Sequence, residues 1–172
     1  MNVPNILTAI RLLLIPSFAY FLYIESYKIA ILLFALSGLT DILDGYIARR
    51  FNLVTSWGKL ADPLADKLMQ IAALIILTIQ GYIPLFILIT VILKEIMMGI
   101  GSIILLKKKK YVVSANWYGK LATFVFFIAI IMIMLDMPYS NYLIIAAFAF
   151  TIFAFINYVI SYFKISYNNV KI

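Results

Sequence analysis

The chain has 172 residues, of which 66% are hydrophobic and 12% charged, and its mean hydropathy is +1.08. A soluble domain of this length needs far more polar surface, so the composition predicts a polytopic membrane protein. The sequence contains no cysteine and no histidine. This excludes disulfides, thiolate metal sites and imidazole chemistry, so catalysis would have to use carboxylates, Lys, Tyr or Ser/Thr.

The net charge of +7 raises the question of nucleic-acid binding. The basic residues, however, lie in short gaps between apolar runs, where Lys and Arg set topology and contact anionic lipid headgroups. We therefore expect the lipid bilayer as a partner and no nucleic acid. The first apolar run contains Arg11 and Pro16 and lacks a small-residue cleavage site, which predicts a retained span rather than a cleaved signal peptide.

The segment Met1 to Ile6 precedes the first apolar run, and two interpretations stay open for it. It either lies along the cytoplasmic interface or forms a short disordered lead-in. Six apolar runs of about 20 residues then follow, as bilayer spans require. They cover residues 7–24, 29–48, 59–80, 84–106, 117–135 and 141–163. The predicted fold is all-α, with six transmembrane helices in a single domain over residues 1–172.

Basic residues are concentrated in every second connection between these runs. Arg49, Arg50 and Lys59 cluster between the second and third runs, and the run Lys107 to Lys110 lies between the fourth and fifth. The opposite connections hold few charges. The positive-inside rule therefore predicts a multi-pass cell-membrane protein with both termini and both basic loops in the cytoplasm.

Four of the seven acidic residues fall between positions 41 and 66: Asp41, Asp44, Asp62 and Asp66. Ionisable groups in a membrane helix cost roughly 2.5–3.5 kcal/mol each, so they are rarely retained without a partner. Spacings of three and four put each pair on one helix face. Two such faces on adjacent helices repel unless cations intervene, and hard divalent ions such as Mg²⁺ or Mn²⁺ suit carboxylate oxygens. The pattern indicates a metal-assisted diphosphate site at the cytoplasmic surface.

Two other interpretations of these acids stay open. The carboxylates can point to water as ordinary surface pairs, such as Asp44 with Arg49 or Asp66 with Lys67. Intramembrane carboxylates also mark carriers and ion pathways. Against a pathway, the acids cluster on one side, and the first, fifth and sixth runs carry almost no ionisable group at mid-membrane depth.

Eight residues at fixed gaps resemble the signature of the CDP-alcohol phosphatidyltransferase family. They are Asp41, Asp44, Gly45, Ala48, Arg49, Gly58, Asp62 and Asp66. The resemblance implies transfer of a phosphatidyl group from CDP-diacylglycerol to an alcohol, with release of CMP. It implies that the four aspartates coordinate two divalent ions and that Asp66 is also the general base. Gly45, Ala48 and Gly58 match positions that line the cytidine pocket, with Arg49 near the diphosphate.

The opening residues, from Asn2 to Arg11, resemble two branches of that family, the phosphatidylglycerophosphate synthases and the CMP-forming cardiolipin synthases. The first branch implies glycerol 3-phosphate as acceptor, and the second implies phosphatidylglycerol. In typical members of the first branch an Arg stands where this chain has Ser102. A family member that binds substrate without catalysis is a further alternative, which the intact set of aspartates argues against.

Lys94 and Lys120 are the candidate acceptor-phosphate ligands. Lys94 is intramembrane and needs a polar cavity or a pair with Glu95 or an aspartate. Adjacent residues point about 100° apart on a helix, so we expect that Lys94 and Glu95 do not both face inward equally. Lys120 resembles a Gly-Lys position of the first branch and is equally well explained as a positive-inside anchor. The segment from Met97 to Gly101 predicts close helix packing within the bundle, and relatives of this kind are typically homodimers.

Overall fold

The computed structural model describes residues 3–51, 56–109 and 117–168, with side chains throughout except at 3–5, 45, 48, 49, 56–63, 102, 105–109 and 163–168. These ranges form helices and no strand, so the all-α prediction is confirmed. The six helices are α1 (Val3–Tyr23), α2 (Tyr27–Arg50), α3 (Ser56–Ile79), α4 (Leu85–Lys109), α5 (Trp117–Met134) and α6 (Ser140–Asn168). One helix overlaps each apolar run, and α6 continues past the predicted end at residue 163.

The start of α1 differs from both expectations for the opening segment. Residues 3–6 belong to the same continuous helix as the first apolar run, so for them a separate interfacial segment or a disordered lead-in is wrong. Pro4 is compatible with this because it lies in the first turn, where a backbone N–H has no partner within the helix.

The chain divides into two compact units, Met1–Tyr82 with α1 to α3 and Ile83–Ile172 with α4 to α6. In the first unit α1 packs against α2 and α3, and α2 also contacts α3. In the second unit α6 packs against α5 and α4.

The packed faces of α1 and α2 follow the alternating three- and four-residue spacing of a coiled-coil seam. The buried residues along it are Thr8, Arg11, Phe18 and Leu22 on α1, and Ala30, Phe34, Ser37 and Asp44 on α2. The rings of Phe18 and Phe34 stack with their centroids 5.1 Å apart. A three-residue connection makes the two helices antiparallel, and the aromatic pair fixes their register.

Exposure along this seam is inverted relative to a soluble protein. The charged Arg11 and Asp44 are 1% and 2% exposed, whereas the apolar Leu13 and Ile42, each two residues away, are 73% and 69% exposed. Such a surface suits lipid chains and not water. Among the described residues, three stretches are long and apolar enough to cross a bilayer: Ile6–Tyr23, Trp117–Met134 and Ser140–Tyr162. These are the features of a membrane protein.

Three helix ends use the same turn. After α1, α3 and α5 the chain passes through a left-handed residue, at Glu25 (φ 58°), Gly81 (φ 84°) and Asp136 (φ 50°). In each case the next N–H bonds back to a carbonyl five residues earlier, as in a Schellman motif: Ser26 to Phe21, Tyr82 to Leu77 and Met137 to Met132. The turn at Gly81 confirms the predicted break between the third and fourth runs.

In the second unit, α4 and α6 touch at two levels. Phe86 packs edge-on against Phe148, with ring centroids 5.7 Å apart, and the Tyr158 hydroxyl donates to the carbonyl oxygen of Met98 at 3.1 Å. The contacts advance in the same direction on both helices, so α4 and α6 are parallel. A Cβ added at Gly101 would lie 2.8 Å from the Tyr158 hydroxyl oxygen, whereas one at Gly99 would have nothing within 4 Å. The predicted close packing is therefore located at Gly101.

We predict that Gly101→Ala destabilises the protein relative to Gly99→Ala. Both changes gain helix propensity of about 1 kcal/mol, but only Gly101→Ala pushes Tyr158 away from Met98, which costs about 1–3 kcal/mol. Thermal unfolding in detergent measures the difference. The atom nearest to the added Cβ is the Tyr158 hydroxyl oxygen. Gly101→Ala should therefore lower stability by less in a Tyr158→Phe background than in the wild type. Equal stability of the two alanine variants would show that the close approach is not stabilising.

Candidate active site

Asp41 and Asp44 lie on one face of α2, in its second half, and both meet Arg11 of α1. One terminal guanidinium nitrogen of Arg11, Nη1, donates to Oδ1 of Asp41 at 2.6 Å, and the other terminal nitrogen, Nη2, donates to Oδ2 of Asp44. Arg11 is 1% exposed, Asp44 2%, and the Asp41 side chain 45%. The cluster therefore extends from the helix interface at Asp44 to an open edge at Asp41.

The register of α1 and α2 explains why these residues meet. Phe18 follows Arg11 by seven residues, and Phe34 precedes Asp41 by seven. In an antiparallel pair with a 3.5-residue repeat, a contact at one level recurs one heptad away, so the stacked rings place Arg11 level with Asp41. The same register brings the buried Thr8 level with Asp44. A distant aromatic contact thus positions the charged groups.

Each charged group of this cluster is stabilised by the opposite charge of its partner. Two carboxylates on adjacent helical turns repel, and burial increases the repulsion because the local dielectric is low. Arg11 compensates for one of the two negative charges and binds both groups. Breaking a buried ion pair by removing one partner typically costs about 3–5 kcal/mol, because the other charge is left buried and unpaired. The Nε atom of Arg11 is buried without a hydrogen-bond partner among the described residues.

The other two predicted carboxylates lie on α3. Asp66 is half-buried, next to Ala65 and one turn before Met69, both of which are buried in the packed face of α3. Asp62 lies one turn before Asp66 on the same helix, but its side chain is outside the described residues. The described side chains form no group of three or more potential metal ligands. Asp62 is not among these side chains, so the predicted set of four aspartates stays a prediction.

The donor chemistry of this site fits the divalent ions that the sequence implies. Asp41 and Asp44 already converge on a single cation, the Arg11 guanidinium, so their carboxylates are aimed at a common position. Carboxylate oxygens are the ligands that Mg²⁺ and Mn²⁺ prefer, and each carboxylate has two of them. The α2–α3 contact brings the helix that carries Asp66 against the helix that carries this pair.

The remaining nucleotide-site candidates fall at the ends of the same two helices. Gly45, Ala48 and Arg49 lie in the last turns of α2, and Gly58 in the first turn of α3, and their surroundings are outside the described residues. Asp44 pairs with Arg11. A pair of Asp44 with Arg49 stays a prediction, because the Arg49 side chain lies outside the described residues. Next to them, Arg50 donates to the Tyr46 hydroxyl at 2.5 Å, on the exposed side of α2.

The candidate acceptor ligands lie in the second unit. Lys94 Nζ pairs with Glu95 Oε1 at 2.5 Å, as its depth in α4 requires. The pair with Glu95 is one of the partners expected for Lys94, and the two side chains are 13% and 18% exposed. Long side chains can bend toward each other although their Cβ atoms diverge. Lys120 is exposed in the first turn of α5, which suits an anchor and a ligand equally.

The role of Arg11 is the feature that the sequence alone did not reveal. It appeared only within the opening motif and as an argument against a signal peptide. The signal that could have found it is the shared seam spacing of α1 and α2, which aligns the single cation of α1 with the two acids of α2.

The sequence matches one family model and several named relatives. The family model for CDP-alcohol phosphatidyltransferase matches residues 1–153. A CDP-diacylglycerol–glycerol-3-phosphate 3-phosphatidyltransferase of Bacillus subtilis is 37% identical over 155 residues, covering 81% of this chain and 80% of the relative. A probable phosphatidylglycerophosphate synthase of Mycobacterium tuberculosis is 34% identical over 152 residues, covering 85% and 71%.

A third relative matches over a shorter stretch. The CDP-diacylglycerol–glycerol-3-phosphate 3-phosphatidyltransferase of Rickettsia typhi is 51% identical over 71 residues, and the match spans 40% of each protein's length. With its carboxylate pair on α2, the spacing of its four aspartates and a family match over most of its length, the chain belongs to the CDP-alcohol phosphatidyltransferase family.

Proposed function

We propose that this protein transfers the phosphatidyl group of CDP-diacylglycerol to glycerol 3-phosphate, forming phosphatidylglycerophosphate and releasing CMP. Family membership supports the donor and the chemistry, and the names of the relatives from Bacillus and Rickettsia support the acceptor. The observation that carries the proposal is the convergence of Asp41 and Asp44 on one cation at the edge of the α1–α2 interface. Carboxylates aimed at a common cation are what a diphosphate site built on divalent ions requires.

In this proposal α1 to α6 are six membrane spans, both termini are cytoplasmic, and the active site faces the cytoplasm. The three stretches that are long and apolar enough to span support the membrane location, and the basic loops beside α2, α3 and α4 support the orientation. A homodimer, which is typical of the family, stays a prediction.

Two divalent ions, either Mg²⁺ or Mn²⁺, would be held by four aspartates, which are Asp41, Asp44, Asp62 and Asp66. When bound, the ions neutralise the diphosphate and stabilise the charge that develops on the CMP leaving group. The acceptor hydroxyl oxygen forms a bond to the phosphatidyl phosphorus as the bond from that phosphorus to the CMP oxygen breaks. Asp66 accepts the hydroxyl proton, and its half-buried position on α3 leaves it accessible to a bound alcohol. Gly45, Ala48 and Gly58 would leave room for the nucleotide, with Arg49 at the diphosphate.

Lys94 is the better supported of the two acceptor-phosphate candidates. Its ammonium group is largely covered and is held by Glu95 at 2.5 Å, which keeps a charged group in place within α4. Lys120 is exposed and is proposed in this role only as the second candidate.

The direct experiment supplies purified protein with CDP-diacylglycerol, Mg²⁺ and one acceptor at a time. We expect CMP release with glycerol 3-phosphate and none with phosphatidylglycerol, and a Lys94→Met variant should raise the KM for glycerol 3-phosphate without changing that for CDP-diacylglycerol. Release with phosphatidylglycerol alone would identify a cardiolipin-forming enzyme. Absence of release with every acceptor would contradict the proposal and favour a carrier or a non-catalytic binder.

A second prediction concerns Asp66. Asp66→Asn removes the proton acceptor but keeps the size of the side chain, so CMP release should fall by about 10²–10⁴-fold while CDP-diacylglycerol still binds. Turnover and equilibrium binding of the donor are measured on the same preparation. Gln70, one turn further along α3, provides the control, since Gln70→Ala should retain turnover. Full activity of Asp66→Asn would show that another group accepts the proton.

A further inference from the structure

Arg11 is a buried cation within hydrogen-bond distance of two of the proposed metal ligands. Its guanidinium has one nitrogen on each carboxylate, and the side chain is 1% exposed. The three groups carry one positive and two negative charges, so Arg11 leaves a net charge of −1 where the two acids alone would give −2. A bound divalent ion would neutralise the same carboxylates.

The position of Arg11 is fixed by the fold. It lies on the packed seam of α1, one heptad from the Phe18–Phe34 stack, and both nitrogens at the end of its fork are engaged. Displacing a side chain held in this way would break both ion pairs and disrupt the packed seam, so we expect it to stay when a divalent ion binds. Its burial also separates it from the phosphates of a substrate, which argues against a role as a direct substrate ligand. Arg11 therefore remains beside any ion that the carboxylates bind.

We propose that Arg11 is a resident counter-cation that positions Asp41 and Asp44 and lowers the affinity of the site for divalent ions. This inference rests on the proposed function, because it takes the two aspartates as metal ligands. In the metal-free protein Arg11 limits repulsion between the carboxylates within the bilayer. In the metal-bound protein its positive charge repels the ion, which keeps binding weak and exchangeable. Arg11 is a positioning residue and takes no part in bond making.

The test measures Mn²⁺ binding to purified protein by electron paramagnetic resonance, without CDP-diacylglycerol or acceptor. Neutralising Arg11 removes a fixed positive charge a few ångströms from the ion, so Arg11→Gln should bind Mn²⁺ on the order of tenfold more tightly than the wild type. With a chelator present, the unfolding temperature of Arg11→Gln should be lower than that of the wild type. Adding Mn²⁺ should raise the unfolding temperature of Arg11→Gln by more than it raises that of the wild type. A purely structural role would lower stability equally with and without Mn²⁺.

Two variants serve as controls. Arg11→Lys keeps the charge, and its Mn²⁺ affinity should stay within about threefold of the wild type because the repulsion is retained. Lys28→Gln removes one positive charge from the exposed first turn of α2 and should leave the affinity unchanged. An unchanged or weaker Mn²⁺ affinity in Arg11→Gln would overturn the inference.

A second pair of variants covers the case in which Arg11→Gln does not fold. Arg11→Gln combined with Asp41→Asn keeps the net charge of the cluster at −1 and avoids two unpaired carboxylates. This double variant should bind Mn²⁺ more tightly than Asp41→Asn alone, and equal or weaker binding would overturn the inference.

The outcomes also separate the inference from the function on which it rests. A wild-type protein that binds Mn²⁺ and releases CMP, with no gain of affinity in either comparison, contradicts the role of Arg11 alone. A wild-type protein that binds no Mn²⁺ and releases no CMP contradicts the proposed function and the inference together.

Discussion

The contact of Arg11 with Asp41 and Asp44 is the interaction on which the rest of the first unit depends. Three charged groups lie together against a helix interface whose outer surface is apolar, with Leu13 and Ile42 exposed beside them. Two carboxylates without a cation would be costly at that position, and an arginine without an anion equally so. The cation that α1 supplies at the same level therefore offsets the cost of placing these acids in α2.

This contact links the candidate site to the packing of the bundle. The Phe18–Phe34 stack sets the register of α1 and α2, and one heptad further on the same register aligns Arg11 with its two partners. Functional groups carried by packed helices are held more precisely than groups on loops. The ends of α1 and α3 are joined as well, since Gln80 Nε2 donates to the carbonyl oxygen of Leu22 at 2.8 Å. The helix that carries Asp66 is thereby tied to the helix that carries Arg11.

The sequence predicted the helices well because long apolar runs and Gly or Pro breaks are local signals. It also predicted which acids belong together on α2, because a spacing of three residues on a helix is local too. It did not predict the partner of those acids, since Arg11 precedes them by 30 and 33 residues and only the antiparallel register brings it there. It did indicate Glu95 as a possible partner of Lys94, because the two residues are adjacent and an intramembrane ammonium needs an anion.

Crystals grown with Mn²⁺ and CDP-diacylglycerol would test the central claim most directly, because anomalous scattering locates the ions without reference to the protein. The claim is that the carboxylates of α2 and α3 hold the divalent ions on which phosphatidyl transfer depends. It predicts anomalous peaks within coordination distance of Asp41, Asp44 and Asp66, with Arg11 still in contact with the α2 pair. Peaks elsewhere, or none at these carboxylates in a preparation that turns over, would contradict it.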